Sequence, residues 1–153
     1  MTHSQNYASL FNSDEREAIL LSIKPRFAEL ITAGSKRIEL RRAIPKKTIK
    51  TIVIYASSPI QSIVALADVA ETIEAKPNHL WQLSKSNGGG LSKLELQAYF
   101  SLKIKGFAFI LENIRVFDSP INPKKIFKDF TAPQSFKYIT AKELTKLTKL
   151  LES

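Results

Sequence analysis

Apolar and polar residues follow two different periods along this chain. Runs rich in β-branched residues, or with apolar side chains at alternate positions, predict strands, whereas apolar residues three and four positions apart predict amphipathic helices. Strands are predicted at residues 19–23, 37–41, 49–56, 62–69, 106–117 and 133–139, with an extension of the fourth strand to residue 73 left open. Helices are predicted at residues 25–34, 77–83, 92–100 and 140–151. The short break between the strands at 49–56 and 62–69 favours an antiparallel pair.

One short basic stretch, residues 34–42, joins the first predicted helix to the next strand. Gly34 suits the end of that helix, because a residue without Cβ enters the left-handed region at little cost. Beyond the turn, Ile38 and Leu40 alternate with charged residues, which predicts a strand with one charged face. The charged side chains are those of Arg37, Glu39 and Arg41. They form either a solvated surface ion pair, with about 0–1 kcal/mol of stabilisation, or an anion-binding or catalytic cluster beside a cleft.

The length and the polarity of the chain indicate how many domains it has and where they begin. The chain has 153 residues, which fits one domain with a substantial core. The polar N-terminal segment shows no regular spacing of apolar residues. We therefore expect a flexible N-terminal arm at residues 1–17 and the folded domain at residues 18–153. No apolar run reaches the ~18–20 residues that span a bilayer, and the N-terminus lacks a signal-peptide pattern. We therefore expect a cytoplasmic protein with no membrane partner.

The residue types available limit the chemistry. The sequence contains no cysteine, which excludes disulfides and thiolate metal sites, and its two histidines are too few for a zinc site built on several histidines. No cofactor or metal is therefore expected. The glycines at 88–90 lack the lysine spacing of a phosphate-binding P-loop and do not follow a strand, so they predict a linker between two helices. We expect His79 and Trp81 to pack this helical insertion against the barrel.

Positive charge is the strongest global signal. The formal net charge is +9 and the isoelectric point is about 9.8, which favours polyanionic partners. Cations crowd one stretch in which Glu39 is the only carboxylate: Lys36, Arg37, Arg41, Arg42, Lys46, Lys47 and Lys50. A second basic group near the C-terminus contains Lys124, Lys125 and Lys128. The alternative interpretation is a lysine-rich surface that serves solubility.

The order of these features resembles the ASCH domain, which belongs to the PUA-like superfamily. The resemblance begins with the strand at 19–23, the helix at 25–34 and the motif Gly34-x-Lys36-x-x-Glu39-x-Arg41. It extends over residues 18–140 through Trp81, Gly90-Leu91-Ser92, Tyr99-Phe100, the aromatic strand from Gly106 and Pro133-Gln134-Ser135-Phe136-x-Tyr138. It implies an α+β fold, a PUA-like mixed β-barrel of five to six strands flanked by helices.

ASCH and PUA-like domains are mostly associated with RNA binding, so the resemblance implies a basic cleft between barrel and helix, lined by the motif. Lys36, Glu39 and Arg41 become the cleft residues. Lys24, Tyr55, Ser57 and Ser58 are further candidates for the cleft, and their alternative interpretation is a surface lysine and a turn without a binding role. The expected partner is single-stranded or structured RNA, with DNA as the alternative nucleic acid, in transcription or translation regulation. The residues predicted to bind nucleic acid are Lys24, Lys36, Arg37, Glu39, Arg41, Arg42, Lys46, Lys47, Lys50, Tyr55, Ser57 and Ser58.

Hydrolase activities are the alternative at the same cleft. Some ASCH proteins resemble amidohydrolases that act on acetylated cytidine with a lysine, a threonine nucleophile and a glutamate. Here Lys36 matches the lysine, but Glu39 stands at the threonine position and provides no hydroxyl nucleophile. In a ribonuclease, Glu39 would be the base, Lys36 the acid and Arg41 the phosphate ligand. A protein-interaction adaptor is a further alternative, because a fold does not determine a function.

The strand period also makes a geometric prediction. Glu39 and Arg41 share one face of their strand, but Lys36 has the opposite parity, so it joins them only from the preceding turn or through a bulge. We expect the three side chains to converge on one concavity beside the first helix. We expect Ile38 and Leu40 to point into the barrel.

Overall fold

The computed structural model describes residues 17–153, so the predicted N-terminal arm lies, except for its last residue, outside the described residues. Six strands are described: β1 (Ala18–Ile23), β2 (Ile38–Arg41), β3 (Thr51–Ala56), β4 (Ser62–Ala75), β5 (Gly106–Ile121) and β6 (Phe136–Ile139). The α-helices of the same region are α1 (Pro25–Thr32), α2 (Pro77–Ser86), α3 (Lys93–Tyr99) and α4 (Ala141–Glu152). A short 3-10 turn, Pro123–Lys125, lies between β5 and β6. No helix in this part of the chain is long and apolar enough to cross a membrane.

The six strands form one curled sheet, a half-barrel in the order β2-β5-β4-β3-β1-β6. β1 and β3 are parallel, and the other neighbouring pairs are antiparallel, including the β3–β4 pair predicted from the short break between them. The chain that runs through α1 and β2 supplies the crossover that the parallel neighbours require. The predicted α+β, PUA-like fold of five to six strands is therefore confirmed.

The helices begin and end where local chemistry predicts. Pro25 occupies the first turn of α1, where its missing N–H costs no helical hydrogen bond, and Gly34 follows the helix at a φ of +85°. α3 and α4 each begin with a reciprocal capping box: Ser92 with Glu95, and Thr140 with Glu143. These caps satisfy N–H groups that the first turn of a helix leaves unpaired.

Three apolar clusters cover the faces of the sheet. The first contains Ile31 of α1 and Phe109 of β5. The second contains Leu147 of α4. Successive residues of β1 belong alternately to the second and the first cluster, so these two clusters lie on opposite faces of the sheet. The third cluster joins Leu80 of α2 and Leu96 of α3 to β2 and β5. The α2–α3 hairpin thus has a core of its own against one end of the sheet.

The charged face of β2 lies beside α1 as predicted, but its apolar face does not point into the barrel. Ile38 and Leu40 are buried, but they belong to the third cluster and pack with the α2–α3 hairpin rather than inside the barrel. Glu39 pairs with Phe109 across the strands, so its side chain lies on the face that α1 covers. The prediction for Ile38 and Leu40 was wrong because alternation shows that the two faces of a strand differ, without showing which neighbouring element covers the apolar face.

The helical insertion itself is only partly as predicted. The glycines at 88–90 do link two helices, and Trp81 is partly buried against the third cluster. His79, however, is exposed, and the adjacent Leu80 takes the buried position, because one face of a short helix reaches the sheet. β5 also continues through the predicted break at residues 118–120, since Ile121 still pairs with β4.

Replacing Ile38 by alanine should lower the free energy of unfolding by about 2–5 kcal/mol, because the truncation leaves a cavity between β2 and the α2–α3 hairpin. Ile104 provides a matched control. It is 84% exposed, so Ile104→Ala should change the free energy of unfolding by less than about 0.5 kcal/mol. Urea denaturation measures both effects. Equal stability of the two variants would contradict the third cluster as a source of stability.

Candidate functional site

A cavity of about 590 Å³ lies beside α1, between β2 and the ends of β1 and β3. Four cations, one carboxylate and three aromatic rings are among the side chains that line it. The lining residues are Ser22, Lys24, Phe27, Lys36, Glu39, Leu40, Arg41, Arg42, Tyr55, Ser57, Ser58, Gln61, Leu91, Tyr99, Ala132, Pro133 and Gln134. Within residues 17–153, no three histidine, cysteine, aspartate or glutamate side chains form a group that could hold a metal ion.

Lys36 is the buried cation of this cavity. It lies in the irregular turn between α1 and β2, as its parity predicts, and only 2% of its surface is exposed. Its Nζ donates to the carbonyl oxygen of Gly89 at 2.5 Å and lies 3.7 Å from Glu39 Oε1. The same atom is 4.7 Å from the centroid of the Phe27 ring. A carbonyl, a carboxylate and an aromatic face therefore surround the amine.

The glycine-rich linker between α2 and α3 holds the turn that carries Lys36. The N–H of Arg37 donates to the carbonyl of Asn87 at 2.8 Å. A Cβ on Gly88 would lie 1.9 Å from the carbonyl oxygen of Ser35, and the φ of Gly88 is +66°, so the close approach requires glycine. The linker therefore also supplies part of the site, which its sequence did not indicate.

Glu39 and Arg41 form the rest of the charged cluster. Arg41 Nη2 lies 2.9 Å from Glu39 Oε2 and donates to the carbonyl of Ser22 at 2.6 Å, so Arg41 links β2 to β1 across the cavity. Arg41 Nε is buried and has no hydrogen-bond partner among the described residues. Together with the contact from Lys36 to Glu39, these distances confirm the predicted convergence of the three side chains.

Burial changes the proton affinity of two groups that face the cavity. Desolvation lowers the pKa of Lys36 below its usual range, while the Glu39 carboxylate opposes the shift and the Arg41 charge adds to it. Burial raises the pKa of the Tyr55 hydroxyl. Lys36 therefore gives up a proton more readily than a surface lysine, and Tyr55 keeps its proton more tightly than a surface tyrosine.

Aromatic rings lie among these charges. Phe27 faces the cavity from α1, Tyr55 from the end of β3 and Tyr99 from the end of α3. The guanidinium carbon of Arg42 lies 4.7 Å from the centroid of the Tyr99 ring, which is a cation–π distance. The cavity thus offers flat apolar faces next to positive charge.

The structure divides the residues predicted to bind nucleic acid into two groups. Eight of them line the cavity: Lys24, Lys36, Glu39, Arg41, Arg42, Tyr55, Ser57 and Ser58. The remaining four do not line it: Arg37, Lys46, Lys47 and Lys50. All four are exposed, and Lys50 Nζ lies 3.0 Å from Glu17 Oε1. Any contact that they make with a ligand lies outside the cavity.

Distant segments supply the lining residues that the local patterns missed. The helical spacing assigns Phe27 to the apolar face of α1, but its ring also lies against Lys36. Tyr99 and residues 132–134 come from segments far along the chain, and only the family resemblance drew attention to parts of them. No local period could have placed them beside the motif, because their positions depend on how α3 and the loop before β6 pack.

The sequence matches known proteins over most of its length. A family model described as Domain of unknown function (DUF365) matches residues 19–140. The chain is 32% identical over 144 residues to the ASCH domain-containing ribonuclease of Zymomonas mobilis, a match that covers 90% of this chain and 93% of that protein. The chain belongs to the DUF365 family and carries an ASCH domain. The resemblance seen in the motif is thereby confirmed.

Solved structures agree with this assignment. The crystal structure of ASCH from Zymomonas mobilis matches the present ASCH domain with a TM-score of 0.81 at 31% identity, over 89% of this chain and 96% of that chain. The N-terminal domain of Staphylothermus marinus McrB matches with a TM-score of 0.57 at 12% identity, over 88% of this chain and 94% of that chain. The second similarity shows a shared fold alone.

The lowered pKa of Lys36 predicts a pH-dependent stability for this ASCH domain. The unfolded chain binds the Lys36 proton more tightly than the folded chain, so the Lys36 contribution to the free energy of unfolding should rise with pH until about 10.4, the usual lysine pKa. Lys36→Met removes this contribution. The stability of the wild type relative to Lys36→Met should therefore increase as pH rises from neutral toward that value.

Urea denaturation at a series of pH values measures the difference. Lys103→Met is the matched control, because Lys103 is exposed and the same replacement there removes an ammonium group that is not buried. Tyr55 is present in all three proteins, so its own titration cancels. If the stability difference for Lys36→Met changed with pH no more than the difference for Lys103→Met, burial would not perturb Lys36.

Proposed function

We propose that this chain binds RNA at the cavity beside α1. The observation that carries the proposal is the composition of the cavity wall, where four cations outnumber a single carboxylate and three aromatic rings lie among them. Phosphates bind to cations, and bases stack on aromatic rings, so the wall matches both parts of a nucleotide. The net charge of +9 favours the approach of a polyanion to this wall.

The size of the cavity favours an unpaired nucleotide. A volume of about 590 Å³ is typical of a pocket for one small molecule and does not admit a duplex. An unpaired base enters such a pocket at little cost, whereas a paired base must first leave its stack. Lys36 can donate and Glu39 can accept hydrogen bonds at the edge of that base. Single-stranded RNA is therefore the proposed partner, ahead of structured RNA and DNA.

The name of a similar protein supports the choice of RNA. The Zymomonas mobilis protein that matches 90% of this chain is named a ribonuclease with an ASCH domain. Because both chains share the family and the fold, we extend the substrate class of that protein to this one.

Removing two exposed cations of the cavity rim should weaken RNA binding. Lys24 and Arg42 line the cavity at exposed positions, so Lys24→Ala/Arg42→Ala should fold normally. For each phosphate that the variant no longer binds, the affinity should fall about fivefold at 0.1 M salt, and the slope of log K against log salt should decrease by about 0.7. Fluorescence anisotropy with a single-stranded oligonucleotide of about four nucleotides measures both quantities.

The predicted cations outside the cavity provide the comparison. Lys46→Ala/Lys47→Ala/Lys50→Ala should leave the affinity for the short oligonucleotide unchanged. It should weaken the binding of longer RNA to the same degree for every sequence, because phosphate contacts carry no sequence information. If the rim variant bound the short oligonucleotide as tightly as the wild type, the cavity would not be the RNA site.

Cleavage of the bound RNA is a second candidate function, which the lowered pKa of Lys36 beside Glu39 favours. In this proposal Glu39 takes the proton of a 2′-hydroxyl, whose oxygen attacks the adjacent phosphorus. The bond from phosphorus to the 5′-oxygen breaks, and the Lys36 ammonium gives its proton to that oxygen. Arg41 stabilises the negative charge that develops on the phosphate. The products are a 2′,3′-cyclic phosphate and a 5′-hydroxyl.

Glu39→Gln tests this second candidate, because the amide keeps the shape of the carboxylate but cannot act as a base. Cleavage of labelled RNA should fall about 10²–10⁴-fold. Glu95→Gln is the matched control, since Glu95 is an exposed carboxylate paired with Arg26, and its variant should cleave like the wild type. Cleavage that persists in Glu39→Gln would contradict the role of Glu39. Deacetylation of acetylated cytidine by the wild type would instead indicate an amidohydrolase.

A further inference from the structure

A second basic segment lies between β5 and β6 and leads directly into the wall of the cavity. Lys124 and Lys125 belong to the 3-10 turn, and Lys128 follows it shortly afterwards. All three side chains are exposed. The chain then reaches Ala132, the first of three consecutive residues that line the cavity. The basic segment and the cavity are therefore neighbours along the chain.

Aromatic contacts join the same segment to the cavity through the fold. The centroid of the Phe130 ring lies 5.4 Å from that of Tyr55, which lines the cavity, and 5.7 Å from that of Phe127. Lys137 of β6 places its Nζ 4.5 Å from the Phe127 centroid and 5.6 Å from the Phe130 centroid. Phe130, Phe127 and Lys137 thus form a continuous set of contacts that begins at Tyr55.

The charge of this segment is almost entirely positive. Between residues 122 and 139, Asp129 is the only carboxylate, and the cations are Lys124, Lys125, Lys128 and Lys137. None of these lysines forms a salt bridge with a carboxylate of residues 17–153. Lys50, by contrast, is paired with Glu17. The four ammonium groups can therefore bind phosphates without first breaking an ion pair.

We propose that Lys124, Lys125, Lys128 and Lys137 form a second RNA-contacting surface, which binds the phosphates of nucleotides adjacent to the one in the cavity. The inference rests on the proposed function, because it assumes that RNA occupies the cavity. Half-buried Phe130 provides a ring on which an adjacent base stacks. A lysine ammonium group binds a phosphate as a point charge. The aromatic rings beside these lysines favour single-stranded RNA over an acidic protein as the partner.

The test compares two RNAs and two variants of the full chain. The RNAs have about 4 and about 16 nucleotides, which matches the range of known single-strand sites. Both carry 2′-O-methyl groups, so they lack the hydroxyl that cleavage would use. Lys124→Ala/Lys125→Ala/Lys128→Ala removes three charges from the segment. Lys142→Ala/Lys146→Ala/Lys149→Ala removes three exposed charges from the face of α4 opposite its apolar stripe and serves as the control.

The segment variant should bind the long RNA more weakly at 0.1 M salt, by about fivefold for each phosphate that it no longer binds, with a salt slope reduced by about 0.7 per phosphate. It should bind the short RNA like the wild type, and the control variant should bind both RNAs like the wild type. Circular dichroism and thermal unfolding check that both variants are folded.

Two results would overturn the inference while leaving the proposed function intact. In the first result, the wild type binds the short RNA, and the segment variant binds the long RNA as tightly as the control variant does. In the second, the segment variant weakens the binding of the short and the long RNA to the same degree, which would make the segment part of the cavity site rather than an extension of it. If the wild type bound neither RNA, the proposed function would fail and the inference with it.

Discussion

The burial of the Lys36 ammonium group is the interaction on which the site depends. Moving a charge out of water costs several kcal/mol unless other groups compensate it. Here the compensation comes from the Gly89 carbonyl, the Glu39 carboxylate and the Phe27 ring. These groups belong to the α2–α3 linker, to β2 and to α1. Because one amine contacts all three segments, its burial holds them in a defined relative position.

β2 lies at the edge of the sheet and contacts other elements through both of its faces. Its apolar face packs on the α2–α3 hairpin through Ile38 and Leu40, and its other face carries Glu39 and Arg41 beside α1. The strand is therefore covered on both sides, unlike a typical edge strand with one face in water. Lys36 and Glu39 are buried, and charges interact more strongly in a medium of low dielectric constant than on a surface.

The cavity contains a lysine whose proton affinity depends on its burial. Proton transfer near neutral pH usually relies on histidine, because its ordinary pKa lies in that range. Among residues 17–153 no histidine lines this cavity, and desolvation lowers the pKa of Lys36 below its usual range. An RNA-binding site and a ribonuclease site would use the same cluster, and they differ in whether Glu39 accepts a proton.

The sequence by itself determined the strands, the helices and the charged motif. Periods, capping boxes and the glycine after α1 act over a few residues, and Lys36, Glu39 and Arg41 lie within one turn and one strand. Only the tertiary structure decided that the apolar face of β2 packs on the α2–α3 hairpin, because that hairpin comes later in the chain. It also placed Gly89, 53 residues further on, against Lys36, and kept the basic loop at 46–50 away from the cavity. Such contacts depend on long-range packing, which no local pattern encodes.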